Sequence, residues 1–215
     1  MSPLLIALLG VMLVPLFVAT WRASLLGLAC QGLLMAWIAS RMHPELDVTS
    51  DWHSLVATAL TLIDLGVVRG VIAPFAFFTV MRARGPSTRN DVLPPTLLSW
   101  SLALASVLVA WTVSETLLAD DGEQQTLAFV ATSGLLLGFL ELSTQSSPFS
   151  QVIGLMRIEN SVALFELRGD GEHGPLAVQV GLVVVVVVTI ALCRWYLRNL
   201  DEPADPVVDV EGETL

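Results

Sequence analysis

Long apolar runs alternate with short polar joints along this chain, and hydropathy divides it into seven spans at about 3–21, 24–41, 54–81, 96–118, 125–145, 149–167 and 176–197. Such runs fit a hydrocarbon layer about 30 Å thick, which a helix of roughly 20 residues crosses. At that depth only a helix or a closed barrel satisfies every backbone N–H and C=O. The pattern therefore predicts an all-α integral membrane protein, a bundle of about seven transmembrane helices. The joints hold breakers and charges: Arg22, His43-Pro44-Glu45, Arg82 to Pro95, Asp120 to Glu123, Ser146-Ser147-Pro148 and Gly169 to Pro175. Leu4 to Trp21 lacks the basic start and the small-x-small exit of a cleaved signal peptide, and reads as the first span. The sixth span is the most polar. Residues 1–199 are expected to form one membrane domain, followed by a disordered acidic tail at 200–215.

Composition strengthens the membrane reading, because 54% of the 215 residues are hydrophobic and only 14% charged, with a mean hydropathy of +0.75. The net charge of -10 changes the picture less than it promises. Much of it sits in Asp201 to Glu213 and Asp120 to Glu123, so it describes solvated ends and argues against nucleic acid or anionic lipid as partners. The basic residues carry orientation. With seven spans, Arg22, Arg82, Arg84, Arg89, Arg194 and Arg198 fall on one side, against Arg41 and Arg168 on the other. Cytoplasmic loops retain positive charge, which puts the amino terminus outside and the carboxyl terminus in the cytoplasm. His43, His53 and His173 then share the outer face with Glu45, Asp47 and Asp51, yet no ligand spacing links them, and they read as solvated loop residues. Cys30 and Cys193 are isolated within apolar spans, which argues against a disulfide or metal ligand.

Depth turns the remaining polar residues into a pattern. Gln31 lies near the centre of span two, Asp64 and Arg69 straddle the centre of span three, and Arg157, Glu159 and Asn160 occupy the centre of span six. Glu141 is nearer the cytoplasmic end of span five, while Glu115 and Glu166 lie near outer ends, where a side chain reaches the headgroups. A charge at the bilayer centre costs roughly 2.5–3.5 kcal/mol on insertion scales, so these groups are expected to face one another, water or a partner subunit. On an α-helix Asp64 and Arg69 are about 140° apart and Arg157 and Glu159 about 200° apart. Bridges across helices, Arg69 with Glu159 or Asp64 with Arg157, are the expectation. Two uses fit such a layer: ion pairs that fix helix packing, or a row that carries protons, with Glu159 as its titrating member. Pro74 removes a backbone bond within span three and is expected to kink it beside Arg69. Laying "LLGLACQGL" (25–33) over "IGLMRIENS" (153–161) hints at a duplicated unit with Gln31 on Glu159.

Three segments, "CQGLLMAWIAS" (30–40), "RGVIAPFAFFTVMRAR" (69–84) and "SQVIGLMRIENSVALFELRG" (150–169), resemble in order the membrane subunit family called hydrogenase-4 component E. The most specific part is Gln151, Gly154, Glu159 and Asn160, matching the family's Q-x-x-G-x-x-x-x-E-N. Cys30-Gln31 and the Arg69 to Pro74 spacing match as well, with Arg where Lys is usual. Two departures stand out: Ser146 to Ser150 replaces a basic loop, and Arg157 lies within the span. The resemblance implies a non-redox membrane subunit of a complex-I-like or membrane-bound hydrogenase-like assembly, with Glu159 in its buried polar axis. The implied setting is a bacterial or archaeal cytoplasmic membrane, with antiporter-like subunits and a hydrogenase-like arm as partners. No Walker A loop, HExxH, GxGxxG or iron–sulfur cysteine cluster is present, so no catalytic, cofactor-binding or metal-binding residue is expected in this chain alone. The alternatives are a scaffold subunit whose charges only dock neighbours, and an autonomous transporter, which would need broken helices and clearer inverted repeats.

Overall fold

The computed structural model describes residues 2–17, 20–42, 52–84, 97–117, 122–145, 147–167 and 176–200, and all of its regular structure there is helical. The elements are α1 (Ser2–Phe17), α2 (Trp21–Met42), α3 (Trp52–Leu62), a π-helical segment (Ile63–Ile72), α4 (Ala73–Arg84), α5 (Leu97–Leu117), α6 (Gly122–Thr144), α7 (Pro148–Glu166) and α8 (Leu176–Asn199). Since α3, the π segment and α4 are continuous, the described chain forms seven rods, matching the seven sequence spans. Five of them, α2, the rod from Leu55 to Arg84, α5, α6 and α8, are long and apolar enough to cross a membrane by length and composition. Helix α1 is short for a span, and α7 is interrupted by its own charges. This architecture fits a multi-pass helical membrane protein. The acidic segment 201–215, His43, His173, Arg89 and Arg168 lie outside the described residues.

Local chemistry explains several boundaries. The Thr20 hydroxyl accepts the Ala23 N–H at 3.3 Å, capping the start of α2. Extended Ser147 followed by Pro148 opens α7, where a proline's missing N–H costs nothing. The end of α8 is closed from another element: Arg84 Nη1 and Nη2 donate to the carbonyls of Leu197 and Leu200 at 2.6 and 2.8 Å. These contacts satisfy acceptors that a helix terminus otherwise leaves open. They also place the ends of α4 and α8 together.

Small residues set the closest crossings. A Cβ on Gly32 would lie 2.5 Å from Gly70 Cα, and one on Gly138 would lie 3.0 Å from the Gly154 carbonyl oxygen. In lipid, where apolar burial does not drive helices together, such backbone approaches provide the packing. Helix α2 runs antiparallel to the π segment, since Gly32 meets Gly70 and Ala36 meets Gly66. Helices α6 and α7 are antiparallel too: the Gly138 site faces Ile158, and the Gly154 site faces Leu142.

The core is divided. One apolar cluster holds Trp21, Leu28, Phe77, Met81, Phe149, Met156 and Leu197. The other holds Leu5, Met12, Met35, Leu65, Leu127, Leu137 and Leu164. Helices α2 and α7 and the third rod pass from one cluster to the other, and their polar residues lie at the passage. The outer surface is apolar, with Val184, Val185, Val187, Val188 and Leu192 of α8 and Leu104, Leu108 and Val109 of α5 all exposed. A continuous apolar exterior of this kind marks a lipid contact surface.

Candidate functional site: a polar layer between two apolar cores

The mid-depth residues singled out in the sequence, Glu159 excepted, each have a definite place in this layer. Arg69 is 4% exposed and donates from Nε to Asp64 Oδ2 at 2.9 Å and from Nη1 to Asn160 Oδ1 at 3.1 Å. Asn160 is fully buried, so α7 is tied to the π segment through a charge-assisted hydrogen bond. Arg157 is 2% exposed and forms a second ion pair, Nη1 to Glu141 Oε2 at 2.8 Å, from α7 to α6. One turn along, the Ser161 hydroxyl donates to the Arg157 carbonyl at 2.8 Å. Gln31 is buried in α2 at the same passage.

The expected cross-helix bridges, Arg69 with Glu159 and Asp64 with Arg157, are not the ones formed. Asp64 pairs with Arg69 along its own rod. The 140° separation presumed an α-helix, whereas here the backbone is π-helical, with Ala73 N–H bonded to the Val68 carbonyl. A π turn closes from i to i+5, so residues five apart stack nearly above one another. Pro74 sits at the second position of α4, directly after this segment. The break beside Arg69 therefore takes the form of a π-helical stretch of 10 residues. Its wider turn gives the proline ring room where an α turn would drive it into the carbonyl four residues back.

Glu141 is counted from the sequence within the buried polar axis, but its partner is not foreseen there. Its number places it nearer a helix end, but the antiparallel register fixed by Gly138 and Gly154 carries it to Arg157. The signal was present as Gly134 and Gly138, a small-xxx-small pair one turn before Glu141. Glu159 stands apart from both networks: it is half-buried, on the side of α7 toward α8, in electrostatic range of Cys193. The suggested equivalence of Gln31 and Glu159 also joins unlike environments, one fully buried and the other partly open.

Several buried polar atoms of the layer have no hydrogen-bond partner among the described residues: Gln31 Nε2, Asp64 Oδ1, Asn160 Nδ2 and Ser133 Oγ. Two amide donors and a carboxylate acceptor are the complement that bridging water satisfies. Chemically, the layer can hold charge and order water, and it has one acidic side chain not committed to an arginine. Among the described residues no three His, Cys, Asp or Glu side chains converge as a metal site requires. No family model, curated protein or solved structure matches the chain.

Proposed function

We propose that this chain is a non-redox membrane subunit of a complex-I-like or membrane-bound hydrogenase-like assembly, with its amino terminus outside and its carboxyl terminus in the cytoplasm. In this reading all seven rods cross the membrane, and the polar layer contributes to a path for protons between antiporter-like subunits and a hydrogenase-like arm. The observation that carries it is the layer itself: two buried networks, Asp64–Arg69–Asn160 and Arg157–Glu141, between two apolar cores. Glu159 is the member to which this reading gives the proton-carrying role, because Asp64 and Glu141 are paired with this chain's own buried arginines and Glu159 is not. The resemblance of 150–169 to hydrogenase-4 component E centres on the same residues. Charge supports the orientation, since Arg22, Arg82, Arg84, Arg194 and Arg198 lie at the end of the bundle where α4 and α8 terminate.

One observation favours a second reading, a scaffold subunit: both buried arginines are held in ion pairs that tie helices together. Glu159→Gln in membranes where the complex still assembles separates the two. The relay reading expects proton translocation to fall at least tenfold with the complex intact. The scaffold reading expects the complex to be depleted from the membrane instead. Unchanged translocation in an intact complex overturns the relay.

A further inference from the structure

Three carboxylates lie within the membrane-spanning part of α6, α7 and the π segment, Asp64, Glu141 and Glu159, but only two arginines lie there, and both are taken. Arg69 is bound to Asp64 and Asn160, and Arg157 to Glu141. Glu159 has no ion pair or hydrogen bond among the described residues. Its neighbours deepen the imbalance. Glu166, two turns along the same face, is in electrostatic range of Arg69, Asp64 and Glu159, so it adds a fourth carboxylate near an arginine that is already bound. Helix α8 supplies no charge between Leu176 and Cys193, and Arg194 is exposed.

The side chain is placed where a second molecule can reach it. Between the α6-facing side of α7 and its border with α8 runs an outer stripe of Glu159, Val162 and Glu166, at the i, i+3, i+7 spacing of one helix face. Val162, one turn from Glu159, is 45% exposed. A carboxylate in contact with hydrocarbon is stable in its charged form only beside an opposite charge, so a cationic side chain on a neighbouring helix is the protein partner this face best accommodates.

We propose that this outer face of α7, at its border with α8, docks a transmembrane helix of a second protein that brings a lysine or arginine side chain to the level of Glu159. The inference rests on the subunit reading and names the chemistry of the neighbour on one face. Charge complementarity fixes both register and orientation, because the partner's cation must meet the carboxylate at one depth.

The test places a photo-crosslinking residue, p-benzoylphenylalanine, at Val162 of the full chain in its native membrane, with mass spectrometry of the adduct. The expected adduct lies on a transmembrane helix of another protein, within about one turn of a Lys or Arg. Glu159→Gln should lower the adduct yield at this one face about tenfold or more, as loss of a buried charge pair does, while the other subunits still co-purify through their remaining contacts. Glu159→Lys should abolish it, and replacing the partner's basic residue with Glu should restore it. Adducts to lipid alone, to a helix without a basic residue, or in a yield unaffected by Glu159→Gln overturn the proposal. If other subunits co-purify in mild detergent in those cases, the subunit reading stands and the docking face alone is wrong. A chain that purifies by itself removes both.

Discussion

The Arg157–Glu141 contact shows how residue-level energetics work inside this bundle. A buried ion pair adds little net stability, because desolvation offsets attraction, but removing one partner strands the other. Glu141→Gln or Arg157→Met alone should therefore cost about 3–5 kcal/mol, and the double variant should recover most of it. Thermal unfolding midpoints in detergent, arranged as a double-mutant cycle, check this; additive losses would show that the two groups are not coupled. Asn160→Ala should cost about 1.5–3 kcal/mol in the same assay, since Arg69 Nη1 loses its acceptor. The identities of these residues were legible in the sequence, because charge is conspicuous among apolar neighbours. Their partners were not, because pairing depends on helix register and, at Asp64 and Arg69, on a backbone that departs from α geometry.

Element positions were the most readable feature. Hydropathy located all seven rods, since roughly 20 apolar residues bounded by breakers admit few interpretations. The π segment was foreshadowed only by Pro74, and by Gly66 and Gly70, which let α2 approach it. That approach supports a prediction about one methyl group. Gly32→Ala places its Cβ against the Gly70 backbone, which cannot rotate away, and should destabilise by about 1–3 kcal/mol. Gly10→Ala, where nothing lies within 4 Å, should leave the midpoint unchanged or slightly raised. Arg84→Ala should act at a distance in sequence. With the Leu197 and Leu200 carbonyls unbound, amide exchange in the last turn of α8 should quicken while the first half of α8 is unaffected.

For the whole molecule, charge is sorted between the two ends. Arg22, Arg82, Arg84, Arg194 and Arg198 gather at one, while Glu115, Glu123 and Glu166 lie toward the other beside Arg41. The exposed tryptophans also divide between the ends, with Trp100 and Trp195 on the basic side and Trp37, Trp52 and Trp111 on the acidic side. Both levels resemble the aromatic belts that anchor membrane proteins at the headgroups. The proposed orientation predicts that, with Cys30 and Cys193 replaced by Ala, Gly122→Cys reacts with an impermeant maleimide in intact cells. Asn199→Cys should react only after the membrane is opened; the reverse pattern would invert the topology.

The Glu141–Arg157 pair also constrains how the chain is made. Helix α6 leaves the ribosome first and carries an acid that has no counter-charge until α7 follows. Only Gln145, Ser146 and Ser147 separate the two helices, and their glycines seat them against each other. If α7 crosses the membrane as proposed, the least costly route is for the hairpin to partition into lipid as one neutral unit, with the pair formed inside the insertion machinery. A chain halted just after α6 would then be a poor membrane substrate, and α7, the rod with least apolar driving force of its own, would enter on the strength of its neighbour.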